Sequence, residues 1–336
     1  SMPAAATAGN VATDVAADAD GDGDGASGTG GTWAQGPPTE TVSELLRTLE
    51  LTISRRLDGV LHGNYQGLTP GHGTEPGESR PYQPGDDVRR IDWNVTARTN
   101  ETYIRNQIAD HDITAWIVVD TSATMRFGTV PNDKAATALA AAAVIGFLTA
   151  RNQNRVGAIL VAGPDIHVVP PRAGKNQVRA ILSTIASAPS SEGRGAADLA
   201  SALDRVGAVG KRRGFVGVIS DFAGDTWVGP LGRLGLRHDL LAVTIHDQRE
   251  YDIPPIGLVH LTDPSTGRTR EVRVTAKVQR KFADAAAEQR LGRLDSIGQS
   301  GAEVIELSTD GDWLGSIVQH VQRRRTQAVR GGVLRR

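Results

Sequence analysis

Apolar residues in this chain fall into two patterns: short unbroken runs, and longer stretches spaced by three and four. The unbroken runs are Ile113-Thr-Ala-Trp-Ile-Val-Val119, Arg155 to Ala162, Phe215-Val-Gly-Val-Ile-Ser220 and Leu240 to His246. Runs this short and rich in β-branched residues predict strands buried on both faces. Shorter strands are expected over Ile166 to Val169 and Ala302 to Leu307. The second pattern predicts helices over Ala135 to Ala150, Gln177 to Ala188, Asp198 to Val209, Ala276 to Ile297 and Asp312 to Arg325. Alternating strands and helices need crossover connections. The expected fold is therefore α/β, with a mostly parallel sheet covered by helices on both faces.

The flanks divide the rest of the chain. Residues 1–40 are rich in Ala, Gly, Asp and Thr, and no Lys or Arg precedes Arg47. They carry too little apolar surface to offset their ordering entropy, so a disordered acidic tail is expected. Residues 41–57 form an amphipathic helix, with Val42, Leu45, Leu46, Leu49 and Ile53 on one face, packed on the body. Residues 58–112 are turn-rich and predict a small β-rich subdomain. Within it, Thr102 to Ile108 alternates like a strand that leads as a hairpin into the Asp120 strand. The main domain spans 113–322, with a hairpin inserted at 257–274 around an Asp-Pro-x-x-Gly turn. Residues 323–336 form a basic tail with six arginines and no acid.

Composition narrows the function classes. The 336 residues carry a net charge of −1, so no whole-chain field favours nucleic acid, and none is expected as a partner. There is no cysteine, which removes disulfides, thiolate metal sites and cysteine nucleophiles together. No run approaches the ~18 apolar residues that a membrane helix needs, and the N-terminus lacks the pattern of a secretory signal. A cytoplasmic protein is expected, with the basic tail as a route to peripheral membrane contact. No G-x-S-x-G elbow, P-loop or H-E-x-x-H occurs, so no catalytic motif points to an enzyme.

The candidate chemistry lies just past two strands. Asp120, Ser122 and Thr124 follow the first run, and Asp221 ends the third. In open α/β sheets ligands bind outside the carboxyl ends of the strands, so these residues could face one crevice. Carboxylate and hydroxyl oxygens suit Mg²⁺ or Mn²⁺. Read alone, D-x-S-x-T is a turn followed by a helix cap.

The order of elements and the D-x-S-x-T motif resemble the von Willebrand factor A domain, a Rossmann-like fold whose metal-ion-dependent adhesion site opens with D-x-S-x-S. The resemblance implies Asp120, Ser122 and Thr124 as first-motif ligands and Asp221 as the later aspartate. The family's intermediate threonine falls at Ala197, in Gly195-Ala-Ala197-Asp198-Leu199. One direct ligand is missing there, with Asp198 or a water as the substitute. A longer resemblance covers roughly residues 55–310. The stretch Arg80-Pro-Tyr82-Gln-Pro-Gly-Asp86-Asp87-Val-Arg89-Arg-Ile-Asp92-Trp93, followed by Ala97-Arg98, is similar to the signature of the bacterial family called domain of unknown function 58. That family accompanies MoxR-type AAA+ ATPases. The resemblance implies a non-enzymatic adaptor, acting on a protein client in chaperone-like remodelling or metal-cofactor insertion, with a Mg²⁺-bridged contact. A metal-dependent hydrolase using the Asp120/Asp221 crevice and a metal-free scaffold are the alternatives.

The signature also has a reading of its own. Pro84-Gly85-Asp86-Asp87 is turn chemistry. Arg80, Arg89 and Arg98 alternate with Asp86, Asp87 and Asp92, and a guanidinium can hold a carboxylate through two hydrogen bonds. An internal ion-pair lattice with Trp93 as its apolar anchor is the favoured reading, ahead of a partner-docking surface that would include Tyr82.

Overall fold

The computed structural model describes residues 12–13, 46–53, 80–82, 91–99, 101–104, 113–129, 133–150, 154–189 and 195–333, with side chains described to residue 324. In chain order the first elements are β1 (Ala12–Thr13), α1 (residues 46–53), β2 (Arg80–Pro81), α2 (Trp93–Thr99), β3 (Tyr103–Ile104) and β4 (Thr114–Asp120). Then come α3 (Lys134–Ala150), β5 (Arg155–Ala162), β6 (Asp165–Ala173), α4 (Lys175–Ala186), α5 (Leu199–Val209), β7 (Phe215–Ser220) and α6 (Val228–Gly235). The chain ends with β8 (Asp239–His246), β9 (Gly257–Thr262), β10 (Thr269–Val274), α7 (Ala276–Gln299), β11 (Glu303–Ser308) and α8 (Trp313–Val333).

Six strands make the central sheet, in the order β11-β8-β7-β4-β5-β6. Every pairing is parallel except the edge pair of β5 and β6. That hairpin turns at Gly163, whose φ of 63° suits a residue without Cβ. β6 is longer than the expected Ile166 to Val169. Strand alternation sorts the core into two layers. Ala115, Ile117 and Val119 of β4 pack with α3, α4, α8 and Ile53 of α1. Trp116 and Val118 face α5, α6 and Ile297 of α7. This is the α/β architecture that the sequence predicts, a mostly parallel sheet with helices on both faces.

α3 lies almost wholly inside, and its alanines explain how. Small side chains let its axis approach both the sheet and α4. A Cβ at Gly146 would stand 2.8 Å from Val178 Cγ1. Each buried Val, Ile or Leu of these layers contributes about 1.5–3 kcal/mol. The amphipathic face of α1 docks here through Ile53, Leu46 and Leu49, and Glu50 takes a two-pronged bond from Arg179 of α4 at 2.9 and 3.0 Å.

The flanks depart from expectation in several places. β3 pairs with β2, not with β4. The described part of the expected β-rich segment holds one helix, α2, and two-residue strands, because Asp92 caps a helix there. Its side chain accepts from the backbone N–H groups of Asn94 and Val95. α6 was not expected, since Gly229, Pro230, Gly232 and Gly235 break its helical pattern. α8 runs past the expected end at Arg325 to Val333, so Arg330 of the expected basic tail also lies in a helix. Arg324 and His320 both pair with Glu303 at 2.8 Å. The hairpin at 257–274 forms as expected, around its own small cluster of Ile253, Val259 and Val274. Of the expected N-terminal tail, only β1 lies among the described residues, paired with β9. No helix among the described residues is long and apolar enough to cross a membrane.

Candidate functional site

The sheet brings Asp120 and Asp221 together. β4 and β7 are adjacent and parallel, with Val119 opposite Ile219, so their carboxyl ends open on the same edge. Ser220 donates from Oγ to Asp120 Oδ2 at 2.7 Å, and the Ser122 N–H donates to Asp120 Oδ1 at 2.9 Å. Ser122 Oγ and Thr124 Oγ1 are 3.0 Å apart, and the Thr124 hydroxyl also reaches the Asp221 carboxylate. The Ala223 N–H donates to Asp221 Oδ1 at 3.1 Å. All five side chains are buried.

The loop after β7 is held under strain. Phe222 adopts φ 52°, a region in which a bulky residue costs on the order of 1–3 kcal/mol. Three contacts fix it. Its N–H donates to Ser220 Oγ at 2.9 Å, Trp227 Nε1 donates to its carbonyl at 3.2 Å, and the two rings meet edge to face at 5.1 Å.

A cation completes the crest, and it belongs to the protein. Lys134, the first residue of α3, is fully buried. Its Nζ donates to Asp221 Oδ2 at 3.0 Å and to Glu250 Oε1 at 2.6 Å. Glu250 is positioned by a short helical turn after β8, where its other oxygen accepts from the Asp247 N–H at 3.1 Å. Asp247, also fully buried, accepts from Thr129 (N–H 3.0 Å, Oγ1 2.7 Å) and from Thr309 Oγ1 at 2.7 Å. It ties the loop before α3 to the ends of β8 and β11.

These contacts set the ionisation of the cluster. Burial, and then the charge of Asp221, raise the Asp120 carboxyl to about 6. Burial would raise Asp221 as well, but the Lys134 ammonium overcomes it and brings that carboxyl down to about 2. Burial opposes the charge on Lys134, yet Asp221 and Glu250 hold it above its ordinary value. Glu250 moves up, because burial and the nearby Asp221 outweigh the pull of Lys134.

The expected ligands Asp120, Ser122, Thr124 and Asp221 therefore do converge. As a site for the divalent ion that the resemblance implies, the set fits poorly. Ala197 offers no hydroxyl and packs against the apolar layer of α5 and α6. Asp198, the expected substitute, caps α5 by accepting from the Ser201 N–H at 3.0 Å. The ammonium of Lys134 already occupies the Asp221 carboxylate. Sequence reasoning missed Lys134, Ser220, Glu250 and Asp247. A lone lysine opening an otherwise apolar helix was the one visible signal.

The signature residues lie apart from this crest in sequence, and only some are described. Arg80 is in β2, and the Tyr82 N–H donates to the Thr102 carbonyl at 2.8 Å. Asp86, Asp87 and Arg89 lie outside the described residues. Asp92 is buried and caps α2, while Arg98 Nε donates to the Asn94 carbonyl at 3.1 Å. Trp93 is not the expected apolar anchor, because its side chain is 71% exposed. As the first residue of a seven-residue helix, it points outward while Asp92 takes the inward place.

Comparison with known proteins is consistent with the signature. The family described as "Protein of unknown function DUF58" matches residues 78–292. An uncharacterised protein of Mycobacterium tuberculosis is 45% identical over 287 residues, covering 85% of this chain and 90% of that one. Among solved structures, BatB from Bacteroides thetaiotaomicron is 13% identical, with a TM-score of 0.39 over 64% of this chain and 99% of that one. The VWA domain of SpRpn10 is 12% identical, with a TM-score of 0.36 over 62% of this chain and 94% of that one. Both structural likenesses are too loose to bear on function.

Proposed function

This chain belongs to the DUF58 family, and we propose that it is a protein-docking module and not a catalyst. The observation that carries this reading is Trp93, in the family signature and 71% exposed. A large aromatic left in water forgoes about 2 kcal/mol or more of burial. Tryptophans are enriched among the few residues that dominate binding energy at interfaces.

The crest supports the same reading. A hydrolase working between Asp120 and Asp221 would need one carboxylate open to substrate or water. Both are at most 3% exposed, and their oxygens are engaged by Ser122, Ser220, Ala223 and Lys134. Such a lattice stiffens the edge of the sheet and suits a surface that is recognised.

The resemblance of the signature makes a MoxR-type AAA+ ATPase the partner, with this chain presenting a client for remodelling or cofactor insertion in the cytoplasm. The test is a calorimetric titration of the full chain with the MoxR-type ATPase of its own organism, repeated with Trp93→Ala. Saturable binding that the variant weakens about tenfold or more, with an unchanged melting temperature, is expected. No binding, or binding indifferent to Trp93→Ala, would count against it.

A further inference from the structure

We propose that Lys134 is a built-in cation that stands in for the divalent ion of an adhesion-type site, so that the crest of this protein works without metal. The inference concerns the cation alone and holds whichever partner docks.

Three observations converge on it. The first is position. Asp221 is the carboxylate that would ligate the ion, and Lys134 Nζ sits 3.0 Å from its Oδ2. A divalent ion on the same group would lie within a few ångströms of an ammonium, where water cannot screen their repulsion.

The second is the placement of the lysine against its own helix. The start of a helix carries positive partial charge and disfavours cations. Lys134 opens the 17-residue α3 and is nevertheless fully buried. The two acids beside it offset that penalty. Glu250 in particular has no counterpart in the D-x-S-x-T ligand set, and it approaches to 2.6 Å, fixed by its bond from the Asp247 N–H. A carboxylate built in to hold a lysine is a design for a protein-borne cation.

The third is that the ligand oxygens already have partners within the protein. Ser122 and Thr124 bond each other, and Asp120 accepts from Ser122 and Ser220. The intermediate-loop hydroxyl is replaced by the methyl of Ala197, which faces apolar neighbours. The loss of that hydroxyl and the gain of a buried ammonium are two halves of one exchange: a cation on a side-chain tether replaces a cation bound from solution. Such a crest keeps its shape irrespective of metal supply, whereas a metal site exchanges its ion and can carry a partner's carboxylate on it.

The test is Mn²⁺ binding to the full chain, read by electron paramagnetic resonance and by the melting temperature in Mn²⁺ against EDTA. The wild type is expected to bind no Mn²⁺ that Asp120→Ala removes, and to melt at the same temperature in both buffers. The double variant Lys134→Ala, Ala197→Thr removes the ammonium and restores the hydroxyl. It is expected to bind one Mn²⁺ per chain and to melt higher in Mn²⁺ than in EDTA. A double variant that folds only when Mn²⁺ is present gives the same support. One Mn²⁺ on the wild type, lost in Asp120→Ala, would overturn the proposal. So would a folded double variant that binds none, since Lys134 would then not be what holds the ion's place.

Discussion

Replacing Asp120 by Asn tests the electrostatics of the crest where the numbers are largest. The folded-state carboxyl is raised from 3.8 to about 6, so the folded protein holds this proton more tightly than the unfolded chain. The associated stability is fully present below pH 3.8 and is lost as pH rises through about 6. The loss amounts to about 3 kcal/mol at neutral pH, counted at ~1.4 kcal/mol for each unit. Asn removes the charge with little change of shape. Its oxygen can still accept from the Ser122 N–H, and its amide can donate to Ser220 Oγ, which loses its own acceptor at Oδ2. The two proteins should therefore diverge with pH. Near pH 4 the variant is expected to match the wild type or fall slightly below it. By pH 7.5 it should have gained up to about 3 kcal/mol relative to the wild type. The assay is urea unfolding of both proteins at half-unit steps of pH, comparing free energies at each step so that the titrations they share cancel. Asp221 does not confuse the window. Its depressed carboxyl, at about 2, contributes stability that is present above pH 3.8 and is lost only below it. A difference between the two proteins that stays flat from pH 4 to 7.5 would refute the buried, repelled state of Asp120.

Other consequences follow from the same contacts. Lys134→Met removes the charge but fills the space, leaving Asp221 and Glu250 buried without their cation. A loss of about 3–5 kcal/mol is expected in chemical denaturation, and a loss below 1 kcal/mol would mean that the ammonium is not the partner of both acids. Two glycines of α6 should behave oppositely on replacement by Ala. A Cβ at Gly235 would lie 2.0 Å from the Ser300 carbonyl oxygen, so Gly235→Ala should lower the melting temperature sharply. Gly232 has nothing within 4 Å of its Cβ position, so Gly232→Ala should stabilise by about 0.5–1 kcal/mol; equal effects at the two sites would contradict the packing of α6 on the turn after α7.

Much of this protein was legible in its residues because the governing physics is local or periodic. The β-branched runs of β4, β5, β7 and β8 are buried on both faces, and that requirement alone predicts a covered parallel sheet. Asp120 and Asp221 end two such runs, so their convergence followed once the strands became neighbours. Other features depend on the packing of distant segments. Trp93 was expected inside because indoles are usually buried, but a helix begins at that residue and turns it outward. α6 escaped notice because its glycines and proline weaken the helical signal, and only packing against α5 and α7 makes it helical. The identity of the cation is the clearest case. Lys134, Asp221 and Glu250 are separated by 87 and 116 positions from the lysine, and nothing in local spacing couples them. Whether a buried carboxylate is answered by a metal or by a lysine depends on which side chain the folded crossover delivers to it. That delivery is set by tertiary geometry, because the desolvation that makes the pairing necessary arises only when α3 is laid across the sheet.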